Sequence, residues 1–150
     1  MRYKKNELLE TMKYCISFIM LVVAVVASWA GDNAPASTES QIKAFYVAYM
    51  QNVENNPAAN EALLQKHMTP EAIARLHEYM EQHDFDAVIN AQDVCAHGME
   101  SLKVTPVEEN CYFVTYKWDE TSEPTMICIK AVDADGLLRI SDIIPLPLEN

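Results

Sequence analysis

The chain has 150 residues, 50% of them hydrophobic, and a formal net charge of −11 from 22 acidic and 11 basic side chains. That length suits one folded domain around one core. The acidic balance excludes a nucleic-acid or anionic-membrane surface, which Lys and Arg would have to build, and three glycines leave no glycine-rich phosphate loop.

The amino terminus reads as an address. Residues 12–30, "MKYCISFIMLVVAVVASWA", place Lys13 before an apolar run from Ile16 to Ala27, with small residues at Ser28 and Ala30. This is the layout of a secretory signal peptide, with cleavage after Ala30 and a weaker alternative after Ala27. Met12-Lys13 opens an ordinary leader, so Met12 is a natural start. An amino-terminal membrane anchor is the other reading, but Ile16 to Ala30 falls short of the ~20 residues a span needs. Cys15 precedes the apolar run, whereas a lipoprotein cysteine follows it. The expected product is a soluble secreted or periplasmic protein with no stable membrane anchoring after cleavage. Residues 1–30 are the leader, 31–38 a flexible tether, and 39–150 a single domain.

Three helices come next. Ile42, Phe45, Tyr46, Tyr49 and Val53 make one apolar stripe at helical spacing, and Thr38 with Gln41 supplies a capping box. Asn56-Pro57 ends this helix and opens a second that buries Leu63, Leu64 and Met68. Thr69-Pro70-Glu71 is a cap, a first-turn proline and an early acid, opening a third helix striped by Ile73, Leu76 and Met80. Beyond Asp93 the period becomes two. "SLKVTPV", "CYFVTYKW", "TMICIKAV" and "LLRISDII" read as four strands, the last two joined by the tight-turn signal "DADG". Parity puts Leu102, Val104, Val114, Tyr116, Trp118, Ile127, Ile129, Ala131, Leu138, Ile140 and Ile144 on one face. The fold class is therefore α+β, amino-terminal helices packed on a curved antiparallel sheet of four or more strands. A short extra strand near Val88 and Ile89 is expected beside it.

Removing the leader leaves Cys95, Cys111 and Cys128, an odd number that permits at most one internal disulfide. A register with Trp118 opposite Thr125 sets Thr115 opposite Cys128 and Cys111 opposite Val132. Cys111 and Cys128 are then four positions apart, roughly 13 Å at ~3.3 Å per residue, beyond the ~7 Å a disulfide tolerates. Register does not constrain Cys95; all three thiols are expected free and mostly buried.

The stretches "IKAFYVAYM", "HMTPEAIARL", "DFDAVINAQD", "SLKVTP" and "DGLLRISDI", in that order, resemble the nuclear transport factor 2-like superfamily of cystatin-like fold, and within it a secreted branch known as a domain of unknown function. The resemblance implies the fold and an exported location. It implies no reaction, because that superfamily includes enzymes, ligand binders and interaction modules.

"HDFDAVINAQD", residues 83–93, concentrates polar side chains. As a calcium loop it fails: Val88 and Ile89 occupy a ligand and the glycine place, and Cys95 stands where a glutamate is required. His83, Cys95 and His97 lack zinc spacing. No metal and no cofactor are expected. The stretch reads instead as a chain reversal between helices and sheet. Asp84 and Asp86 bond nearby backbone N–H groups, Phe85, Val88 and Ile89 anchor it, and Gln92 and Asp93 satisfy buried backbone.

Asp142 shares the parity of the apolar face. Either a bulge near the strand end turns it to solvent, which is the expectation, or it lies in an apolar cup as a general base. Some superfamily enzymes, the resemblance implies, use such an acid beside a tyrosine, and Tyr116 has the right parity. If the cup holds a ligand, Tyr46, Tyr49, Gln92, Asp93, Tyr116 and Trp118 are placed to line it; the aromatic ones otherwise pack as core, polar tips at its rim.

The expected function is that of an exported non-catalytic binding domain for a small apolar ligand or a protein partner. One alternative is a lyase or isomerase using Asp142 and Tyr116. Another is a homodimeric scaffold joined through the face of Phe113, Thr115, Met126, Cys128 and Val132.

Overall fold

The computed structural model describes residues 36–134 and 136–146. Residues 1–35, where a leader, its cleavage site and most of a tether are expected, lie outside the described residues. The elements follow in the order α1 (Thr38–Asn55), α2 (Ala58–His67), α3 (Pro70–Gln82), α4 (Ala96–Ser101), β1 (Lys103–Glu108), β2 (Cys111–Tyr116), β3 (Thr125–Ala134) and β4 (Leu137–Pro145). The strands form an antiparallel meander, β1-β2-β3-β4. The helices pack on this open sheet, so the α+β architecture is the one expected.

Each helix starts where local chemistry permits. Ser37, not Thr38, caps α1: its hydroxyl accepts the Ser40 N–H at 3.2 Å, while the Gln41 side chain donates to the Ala36 carbonyl. Thr69 caps α3 by accepting the Ala72 N–H, with Pro70 in the first turn. Ten-residue α2 is shorter than the ~12–15 residues that sustain a helix alone in water. Burial of Leu64 and Met68, each worth roughly 1.5–3 kcal/mol, holds it in place.

The core is filled from both layers. From α1 come Ile42, Phe45, Tyr46, Tyr49 and Met50; from the sheet come Val114, Tyr116, Ile127, Ile129, Ala131 and Ile140. Val88 and Ile89 close it from the segment after α3. They lie in a turn bridged at Asp86 and Ala91, not in a strand. Between this turn and β1 lies α4, whose six residues have Cys95 as cap: its sulfur accepts the Gly98 N–H at 3.3 Å.

Two features of register depart from expectation. Tyr116, not Trp118, lies opposite Thr125, so Phe113 pairs with Cys128 and Cys111 with Lys130. The slip is two residues, which keeps every side chain on its face. In β4, a bulge at Ser141 lies between the pairs Ala131–Ile140 and Lys130–Asp142. Beyond it the faces exchange: Ile143 turns toward the core, while Ile144 pairs with Cys128 on the outer face and is 38% exposed. At the other edge, Pro106 of β1 pairs with Tyr112, and a second irregularity follows before Glu108 meets Cys111.

Candidate functional site

The polar stretch folds as a clasp. The Asp86 N–H and C=O bond the C=O and N–H of Ala91, at 2.9 and 3.3 Å. Its carboxylate accepts the Val88 N–H at 2.8 Å and the Tyr49 hydroxyl of α1 at 2.8 Å. Burial pushes the Asp86 carboxyl above the usual carboxylate range, and these hydrogen bonds oppose the shift. Asn90 takes the left-handed conformation, φ 52°. Its amide donates to the Leu146 carbonyl at 2.9 Å and to the Met126 carbonyl at 3.4 Å, stapling the turn to the ends of β3 and β4. Sequence spacing gives no signal for this staple, because its partners are 56 and 36 residues away.

The six residues expected to line a ligand cup do not converge on one. Tyr46, Tyr49 and Tyr116 are buried, and their rings occupy the space between α1 and the sheet. The Tyr116 hydroxyl donates to the Ile89 carbonyl at 2.7 Å, and burial pushes its pKa up to about 12. Burial likewise raises the Tyr46 hydroxyl far above the ordinary phenol range, and that hydroxyl has no partner among the described residues. Gln92 and Asp93 are exposed. They serve backbone locally, Gln92 donating to the Asp84 carbonyl and Asp93 accepting the Val94 N–H. Trp118 lies past the end of β2 and is 38% exposed. Of Asp84 and Asp86, both expected to bond nearby backbone N–H groups, Asp86 does so through its carboxylate, whereas Asp84 takes part through its main-chain carbonyl.

Asp142 and Tyr116 do not form a catalytic pair. The bulge carries Asp142 out of the core face, where it stands opposite exposed Lys130. Tyr116 stands opposite Thr125, five positions away along β3 and so roughly 16 Å at ~3.3 Å per residue. The Asp142 carboxylate instead lies 3.5 Å from Nη2 of Arg75, which also donates to the Ser141 carbonyl at 2.7 Å. Sequence reasoning missed Arg75, an exposed residue of α3 with no marked context.

Together these residues open a cleft of about 350 Å³ between α3 and the carboxy-terminal half of β4. Leu76, Ala87 and Ile143 supply apolar walls, and Arg75, Glu78 and Asp142 its charges. The sheet edge contributes main chain as well. Leu146 N–H bonds the Met126 carbonyl, so hydrogen-bonded pairs alternate back to Ile144–Cys128 and Asp142–Lys130. The main-chain groups of Ile143 and the carbonyl of Pro145 therefore face away from β3. Nearer the amino end of β4 this edge is occupied: Thr69 N–H donates to the Ile140 carbonyl at 2.9 Å, and Arg75 holds that of Ser141. The cleft begins where the cover stops.

Helices on an open four-stranded antiparallel sheet, with a mixed apolar and charged cleft at one edge, define an α+β protein of the helix-on-sheet class. The chain belongs to the same family as a solved protein of unknown function from Bacteroides thetaiotaomicron VPI-5482. The two share 31% sequence identity with a TM-score of 0.65, over 69% of this chain and 85% of the other. No protein-family model matches the chain, and no curated protein does.

Proposed function

We propose that the protein is an exported, non-catalytic binding domain of the nuclear transport factor 2-like superfamily, and that its ligand seat is the α3/β4 cleft. The observation that carries this reading is the open main-chain edge at Ile143, set beside Leu76, Ala87 and Arg75 in one concavity. Binding sites combine an apolar lining with a few convergent polar groups, and an unpaired strand edge offers an amide-containing ligand a donor and an acceptor. The ligand is small and largely apolar, carries an amide group, and is equally well supplied as a short segment of a partner protein. The layout of residues 12–30 supports export.

Titration of ¹⁵N-labelled protein with apolar tripeptides tests the seat. Shifts should concentrate at Ile143, Leu76 and Ala87, and Gln82→Trp, at the rim, should abolish them. Absence of shifts, or shifts confined to another face, rejects the cleft. Mass analysis of protein exported from cells should find a chain beginning at Gly31; an unprocessed amino terminus rejects the address.

A second reading, a self-associating scaffold, rests on the outer sheet face, where Phe113, Met126 and Val132 are half-buried and Ile144 is exposed. Concentration-dependent dimers in sedimentation velocity favour it, and a monomer at high concentration removes it.

A further inference from the structure

The observed β2–β3 register changes the relation between two thiols. Cys111 pairs with Lys130 and Phe113 with Cys128, so Cys111 and Cys128 share the outer face and are offset by two positions. Ala131 N–H bonds the Asn110 carbonyl at 2.9 Å, which makes Cys111–Lys130 and Phe113–Cys128 the non-hydrogen-bonded pairs of the ladder, where side chains lie closest. Both cysteines are half-buried and free, so each sulfur is reachable from solvent. Their proximity is also electrostatic: after burial, Cys111 is the leading influence that raises the Cys128 thiol, and Lys130 acts in the opposite sense.

Reach decides what this pair can hold. Diagonal neighbours in an antiparallel pair have Cα atoms roughly 7–8 Å apart. A disulfide, with its ~2.05 Å bond, requires about 7 Å or less. A metal ion between the sulfurs extends the span: two bonds of ~2.3 Å in line, the length of a typical metal–thiolate bond, cover about 4.6 Å. Soft thiolates select ions of the Cu(I) type.

We propose that Cys111 and Cys128 form a two-coordinate site for one soft monovalent cation of the Cu(I) class. Two S–H bonds break and two S–Cu bonds form; both protons leave to solvent and no electron is transferred. The product carries one negative charge, and the Lys130 ammonium stands directly opposite Cys111 to balance it. The third thiol is otherwise engaged: Cys95 donates to the Trp118 carbonyl at 3.2 Å and caps α4.

The test is native mass spectrometry of the reduced, folded chain supplied with Cu(I) as its acetonitrile complex, in competition with a chromophoric Cu(I) chelator. One ion per chain is expected. Cys111→Ser and Cys128→Ser should each lose it, and Cys95→Ser should retain it. No uptake by the wild-type chain overturns the proposal whatever the variants do, as does uptake that survives both substitutions. Circular dichroism of each variant separates loss of the site from loss of the fold.

Discussion

The Tyr49 hydroxyl donates a 2.8 Å hydrogen bond to the Asp86 carboxylate across 37 residues of sequence. It joins the first helix to the turn that delivers the chain to the sheet. The receiving carboxylate has its pKa raised, chiefly by burial. An acid raised in the folded state favours folding while protonated. Its contribution is greatest below the unfolded carboxylate range, declines as pH rises from there to the raised folded value, and is constant above it. Asp86→Asn does not ionise. The stability of the wild-type chain relative to Asp86→Asn should therefore fall as pH rises through that window, measured by urea unfolding at several pH values. A difference that is flat with pH contradicts the raised pKa.

Tyr49→Phe removes the same bond from the other side. At neutral pH it should cost roughly 1.5–3 kcal/mol, the range for hydrogen bonds to charged groups. It should also raise the Asp86 pKa further, since this bond lowers it. A loss below about 0.5 kcal/mol would show that the bond is matched by water in the unfolded chain.

Gly98 touches the ring that anchors the sheet. A Cβ there would stand 3.1 Å from Cδ2 of Tyr116, and Tyr116 is buried and held by its bond to Ile89. The ring would have to shift by a few tenths of an ångström against that bond. Gly98→Ala should destabilise by about 1–3 kcal/mol as overpacking, despite alanine's better helix propensity. Unchanged or increased thermal stability would mean the ring gives way.

Asn90 has two tasks that substitution separates. Asn90→Gly keeps the left-handed backbone and loses the staple to Leu146 and Met126; Asn90→Ala loses both. The alanine variant should be the less stable by about 1 kcal/mol, the usual strain of a left-handed non-glycine residue. Amide exchange near Leu146 should accelerate in both. If it is unchanged, the staple does not hold the end of the sheet.

Arg75 and Asp142 make an ion pair whose side chains are 54% and 32% exposed. Exposed pairs contribute about 0–1 kcal/mol. Asp142→Asn should shift unfolding by less than about 1 kcal/mol and leave the bulge intact. A larger loss would give Asp142 a structural role that its exposure does not indicate.

What sequence could and could not reveal follows from the physics of each element. The helical stripe from Ile42 to Tyr49 and the cap at Thr69 are local, and both are present. The faces of β2 and β3 are local too, because alternation fixes which side each residue takes. Their offset is not: a two-residue slip leaves alternation untouched, and the loop from Lys117 to Pro124 accommodates either. The bulge left one trace, Asp142 among apolar residues, and turning it to the outer face was the expected outcome. Helix α4 was missed because "AHGMES" carries a glycine, lacks an apolar stripe and has a cysteine for a cap. The cup residues were named for aromatic content, yet those rings pack against one another, and the cleft at Arg75 depends on α3 lying beside a strand more than sixty residues later.

Pro106 has a consequence at the sheet's far edge. Tyr112 directs its main-chain groups toward β3, so the backbone of its partner Pro106 faces outward, where a strand arriving from another molecule would seek a donor. Proline has none to offer there and, for the same reason, takes nothing from the pairing with β2. The irregularity between Pro106 and Glu108 then breaks the regular pairing of the strand. A crowded solution of these molecules thus meets a broken template along β1, and the meander resists growing into a continuous intermolecular sheet.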